Sequence, residues 1–127
     1  MIWKLRKTVE FSASHRLPNH VGPCANLHGH RWRVVVEVVA AHLTPSGMVV
    51  DFGDVRRVVM QHDHTHLNDR YDNPTAEVIA ESIARDVFPL VRQNGHMIRV
   101  EVEESPGSSV VFELPVADEE IRRARSS

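Results

Sequence analysis

The longest apolar pattern in the chain runs from Arg31 to Leu43, RWRVVVEVVAAHL. Trp32, Val34, Val36 and Val38 fall on one side of an extended backbone and Arg31, Arg33, Val35 and Glu37 on the other, the period-two spacing of a strand. Residues 2–14 carry similar strand-type spacing and end in the small SAS, which predicts a strand ahead of it. TPSG (44–47) supplies Pro and Gly for a tight turn. MVVDF (48–52) reads as a short extended stretch running into a helix.

That helix is expected to start near Asp51 as N-cap, with Phe52, Val55, Val58 and Val59 on one face, and to end around HDHTHLND (62–69). A second helix opens at DNPTAE (72–77), where Asn73 can cap and Pro74 suits the first helical position. Ile79, Ile83, Val87 and Leu90 then recur at helical spacing, and Pro89 is placed to kink or shorten the last turn. HMIRVEVEE (96–104) alternates Ile98, Val100 and Val102 against Arg99, Glu101 and Glu103, and SSVVFELPV (108–116) pairs back through the SPGS turn. The polar tail ADEEIRRARSS reads as a short helix or a frayed end. The order β-β-α-α-β-β predicts an α+β fold, an antiparallel sheet with two helices on one face.

With 127 residues the chain has the length of one ordinary domain, so a single domain over residues 1–127 is expected. A formal charge of −2, with both signs spread along the chain, excludes the basic stripe of a nucleic-acid binder. Charges interrupt MIWKLRKTVEFSASH within a few residues, and no apolar run approaches a membrane span. A soluble, cytoplasmic protein with no nucleic-acid or membrane partner is expected. The one cysteine cannot form an internal disulfide, and the compositional oddity is nine histidines.

PCANLHGHRW (23–32) holds Cys24, His28 and His30. On extended backbone His28 and His30 project on the same side, close enough to share an ion, and Gly29 removes a side chain from the crowded side between them. A third ligand is available in His15, which antiparallel pairing of the two strands brings opposite this segment. Three imidazoles with an open fourth position is the arrangement of a catalytic zinc. Two other readings stay open: a structural zinc with Cys24 as thiolate ligand, and the pair His62 and His66, spaced as if on one helical face. Structural sites usually draw on several cysteines in paired spacings, and the second pair has Asp63 where the metalloprotease motif has glutamate. His20, His42 and His96 have no motif context and read as surface residues. Parity puts Glu104 on the apolar face with Val100 and Val102, so that it points inward while Glu101 and Glu103 do not.

FSASHRL, C-x-x-x-H-G-H, VVDFGDVRRVV, HDHTHLND, NPTAE and VEVEES occur in an order and spacing that resembles the 6-pyruvoyltetrahydropterin synthase family over nearly the whole chain. The gap between Cys24 and His28 resembles the bacterial branch, 6-carboxytetrahydropterin synthase of the queuosine pathway. The resemblance implies a tunnelling fold assembled into trimers and then hexamers, with active sites between subunits. It implies Zn²⁺ on His15, His28 and His30, Cys24 as the catalytic cysteine and Asp63 and His64 as the catalytic pair of D-H-x-x-L-N. Glu104 would anchor the pterin ring and Thr75 contact it. The implied reaction takes 7,8-dihydroneopterin triphosphate to 6-carboxy-5,6,7,8-tetrahydropterin with loss of acetaldehyde and triphosphate. The pyruvoyl-forming reaction and a pterin-binding member without catalysis are the alternatives. Lys7, Arg16, Arg31 and Arg33 are candidates for triphosphate contacts. The family's usual HGHNY reads HGHRW here, and Val78 stands where asparagine usually follows TAE. Arg31 and Trp32 are therefore expected to alter the rim of the site.

Overall fold

The computed structural model describes residues 1–126, with the side chain of Cys24 outside the described part. Trp3–His15 (β1) and His28–Ala40 (β2) form a long antiparallel pair, and Phe52–Met60 (α1) follows. The two-residue strand Thr65–His66 (β3) adds parallel to β1, ahead of Ala76–Val91 (α2). Gly95–Ser105 (β4) and Ser108–Pro115 (β5) complete a mixed sheet of order β3-β1-β2-β4-β5, and Val116–Ser126 (α3) ends the fold.

Alternation decides which face is covered. Val9, Phe11 and Ala13 of β1, Trp32, Val34, Val36 and Val38 of β2, and Ile98, Val100 and Val102 of β4 are buried on one face. Against it α2 sets Ile79, Ile83, Val87, Phe88 and Val91, each fully buried and each stabilising by about 1.5–3 kcal/mol. Leu90 is left partly exposed, and Val91 continues the i, i+4 series in its place. Pro89 lies inside α2, which runs on to Val91.

Several local expectations change. The strand expected from Arg31 to Leu43 spans His28–Ala40, so His28 and His30 are strand residues themselves. Residues 48–51 form no strand; Val49 and Val50 are buried in a bend, where the Val49 carbonyl accepts from Asn94 Nδ2 at 3.0 Å. Asp51 does cap α1, its Oδ1 accepting the Gly53 N–H at 2.6 Å, but Phe52 is 55% exposed at the first turn. The helix ends at Met60 because the following residues hydrogen-bond to β1 instead: Asp63 Oδ1 accepts the Ser12 N–H and the His64 N–H donates to the Ser12 carbonyl. In α2 the cap is Thr75, not Asn73; its Oγ1 accepts the Val78 N–H at 3.1 Å. Pro74 precedes the cap, and its carbonyl is taken by His15.

The tail is a helix held by charges. Glu119 is buried, its Oε2 accepting from Arg123 Nε at 3.1 Å, and the Arg123 guanidinium stacks 4.5 Å over the ring of Phe88.

Candidate metal centre and its cleft

The β1–β2 register sets His15 directly across from His28 and Ala13 across from His30. All three histidines thus share the covered face, with ring centroids 4.4–5.1 Å apart. His15 Nδ1 donates to the Pro74 carbonyl at 2.8 Å and His28 Nδ1 donates to the Asn26 carbonyl at 2.7 Å, since a carbonyl can only accept. In the neutral ring each Nε2 then carries a lone pair. Burial pushes both His15 and His30 below the ordinary imidazole value, which favours that neutral form. The Nε2 atoms of His15 and His30 are buried without a hydrogen-bond partner, and Glu104 stands among them. The ligand atoms of His15, His28, His30 and Glu104 all lie within 4.8 Å of one another. Converging imidazole nitrogens, two of the rings held by carbonyls on their outer side, and a nearby carboxylate suit a divalent cation.

Trp32 does not form the rim. Trp32 is fully buried, presenting its ring at 4.9 Å to His15 and 5.6 Å to His30, nearly perpendicular to both, and stacking on Phe11 at 6.0 Å. It backs the histidines. Arg31 lies on the other face, its Nε donating to Glu10 at 2.7 Å. A Cβ at Gly29 would meet only the Ala13 carbonyl, at 4.0 Å, so the glycine relieves no crowding.

Glu104 is inward, as parity requires, with a side chain 25% exposed. It lines a cleft of about 360 Å³ together with Leu17, His20, Asn73, Thr75 and Glu77. Glu104 and Thr75 are therefore brought to one hollow, although the Thr75 hydroxyl is already engaged as a helix cap. His20 is exposed as expected but also lines this cleft.

Asp63 and His64 pair as a dyad, His64 Nδ1 to Asp63 Oδ2 at 2.7 Å. The Ser12 N–H, and then His64, hold the Asp63 carboxyl below the usual carboxylate range. His64 has φ 54°, a left-handed conformation uncommon outside glycine, maintained by its N–H on the Ser12 carbonyl at 2.7 Å. His64 lines a second cleft of about 640 Å³ with Ser12, Ser14, Gly29 and Arg31, which alternate with the histidine ligands, and with His30 itself. Among the described residues no hydrogen bond joins the dyad to His15, His28 or His30, although His30 and His64 line one cleft. The thiol of Cys24 lies outside the described part of the structure. His62 and His66 do not share a helical face: His62 is buried, bonded to the Val59 carbonyl and the Tyr71 hydroxyl, and His66 lies on β3 beside Ser14.

Sequence reasoning missed the Trp32 backing, the carbonyls of Pro74 and Asn26, and the closeness of Glu104 to the histidines. The alternation that placed Glu104 inward, combined with β2–β4 pairing, contains the last of these.

Sheet order and histidine group define a class, the T-fold proteins, here with a three-histidine, one-carboxylate group on the covered face. The model of the family described as 6-pyruvoyl tetrahydropterin synthase matches residues 4–115, and the chain belongs to that family. It is 32% identical over 123 residues to the 6-carboxy-5,6,7,8-tetrahydropterin synthase of Bacillus subtilis, covering 87% of this chain and 84% of that one. Against the protein of the same name from Rickettsia felis the identity is 30%, covering 84% and 97%. Among solved structures, the 6-pyruvoyl tetrahydropterin synthase of Caenorhabditis elegans superposes with a TM-score of 0.71 at 21% identity, over 90% of this chain and 96% of that one. At that identity the likeness is one of fold.

Proposed function

We propose that the protein is a zinc-dependent 6-carboxy-5,6,7,8-tetrahydropterin synthase, converting 7,8-dihydroneopterin triphosphate to 6-carboxytetrahydropterin, acetaldehyde and triphosphate. The observation that carries this reading is the convergence of His15, His28, His30 and Glu104 beside a cleft that Thr75 also lines. The relatives named above support the carboxy-forming branch. The pathway served is queuosine or another 7-deazapurine, in the cytoplasm.

The reaction moves protons off carbons that carry hydroxyls, and such carbon acids are very weak. When bound by His15, His28 and His30, Zn²⁺ would supply Lewis acidity that stabilises the negative charge developing on the substrate side chain. The remaining work belongs to the chain. Glu104 accepts hydrogen bonds from the aminopyrimidine edge of the pterin and fixes the ring in the cleft. Cys24 acts as a base, its thiol made more acidic by the positive charge of the centre. Asp63 orients His64, which exchanges protons as a second acid/base.

The proposed site takes its metal group from one protomer and its Asp63–His64 dyad from another, a reading supported by the lack of any hydrogen bond between dyad and histidines among the described residues. A homohexamer built as a dimer of trimers satisfies this, with sites between subunits. The test is incubation of the metal-loaded protein with 7,8-dihydroneopterin triphosphate and identification of both products. Acetaldehyde with 6-carboxytetrahydropterin supports the proposal; a 6-pyruvoyl product without acetaldehyde assigns the other branch, and no turnover rejects the activity.

A further inference from the structure

Glu104 is given the pterin ring in the function proposed above, yet its carboxylate is turned toward the histidines. Oε1 lies 3.4 Å from His30 Nε2 and Oε2 lies 3.7 Å from His15 Nε2, and neither nitrogen has a hydrogen-bond partner. Two atoms bound to one tetrahedral ion at about 2.0–2.2 Å stand roughly 3.3–3.6 Å from each other. The separation from His30 falls within this range and that from His15 lies just beyond it. Without a shared cation, the Nε2 lone pair of His15, whose Nδ1 proton goes to the Pro74 carbonyl, would face a carboxylate lone pair with nothing to offset the repulsion.

The backbone at Glu104 leaves it free to turn. Pairing of β4 with β5 shifts register between Glu103 and Ser105, which skips Glu104 in the ladder. A residue at such a bulge is re-aimed without breaking the strand pairs on either side. Its carboxylate also borders the cleft that Thr75 lines, so it faces both the histidines and the hollow.

We propose that Glu104 is the fourth metal ligand in the substrate-free protein and exchanges onto the pterin ring when substrate docks. In both states the carboxylate is paired, to the cation or to two N–H donors of the ring, so neither state leaves a buried charge alone. Recognition of the ring then opens the coordination position that the substrate side chain needs, and the centre stays closed to water until the correct ring arrives. The first half of this inference rests on the distances; the second half rests on the proposed function.

The test uses protein loaded with Co²⁺, whose visible absorption reports coordination, and Zn²⁺ affinity from competition with a chelator. Glu104→Ala and the isosteric Glu104→Gln are expected to change the cobalt spectrum and to weaken zinc binding by roughly tenfold or more, while Glu103→Ala, on the other face, changes neither. Adding pterin without a C6 side chain, which brings no side-chain oxygen to the metal, should shift the wild-type spectrum toward that of Glu104→Ala. Unchanged affinity and spectrum in both folded Glu104 variants overturn the ligand role. An unchanged wild-type spectrum, with pterin binding verified by fluorescence, overturns the exchange and leaves the proposed function standing. Pterin that does not bind the wild type at all overturns the exchange and the proposed function together.

Discussion

His64 Nδ1 lies 2.7 Å from one oxygen of Asp63, and the other oxygen of the same carboxylate accepts the Ser12 N–H at 3.0 Å. One side chain thus fixes the imidazole and attaches the turn that carries it to β1. Asp63→Asn keeps the size but removes the charge that orients and stabilises a protonated His64. Turnover is predicted to fall by roughly 10²–10⁴-fold, with metal content unchanged. Steady-state acetaldehyde formation and metal analysis on the same preparation check this.

Trp32 backs two of the three histidines, whereas Arg31 is on the far face of the sheet. Trp32→Ala is predicted to cost about 3–5 kcal/mol of stability and to loosen the metal, because the cavity frees the rings of His15 and His30. Arg31→Ala should leave zinc affinity as it is. Denaturant unfolding and chelator competition separate the two; equal effects would give Arg31 a part in holding the metal.

Burial holds His62 below its ordinary value of 6.5. The unfolded chain therefore binds this proton more tightly than the folded one, so the stability carried by the neutral ring is present above that value. It is lost as pH falls from about 6.5 toward the depressed native pKa. His62→Gln is predicted to be less stable than wild type near neutral pH but to lose less on acidification. Unfolding curves for both proteins in the same metal state, in which His15 and His30 contribute equally, measure the difference.

Cys24→Ala and His64→Ala, each inactive alone, are predicted to regain about a quarter of wild-type activity when unfolded and refolded together in equal amounts, if each site draws on two chains. No recovery in demonstrably mixed oligomers would place the whole site in one chain. Cys24→Ala should also keep its metal; losing it would make the cysteine a ligand.

Alternation carried most of what could be read in advance. It placed Trp32, Val34, Val36 and Val38 in the core, His28 and His30 on one side, and Glu104 inward. Misreadings fell where side chains satisfy backbone groups across the chain. Asp63 and His64 end the helix early by bonding to Ser12, and Asn68 pairs with the main chain of Arg16, partners fifty or more residues away in sequence. No local pattern encodes such contacts. Asn-Pro-Thr offers two capping residues, and Thr75 takes the role while His15 holds the Pro74 carbonyl before it. Pairing the sides of β1, β2 and β4 would have brought Glu104 to the histidines; its turn toward them depends on the bulge.

Whether His15, His28 and His30 hold the metal on which pterin chemistry depends is decided by acetaldehyde release from 7,8-dihydroneopterin triphosphate before and after metal removal. Chelation is predicted to abolish release and one equivalent of Zn²⁺ per chain to restore it, whereas His28→Ala is not restored in this way. Metal-stripped wild type that releases acetaldehyde at the original rate would contradict it.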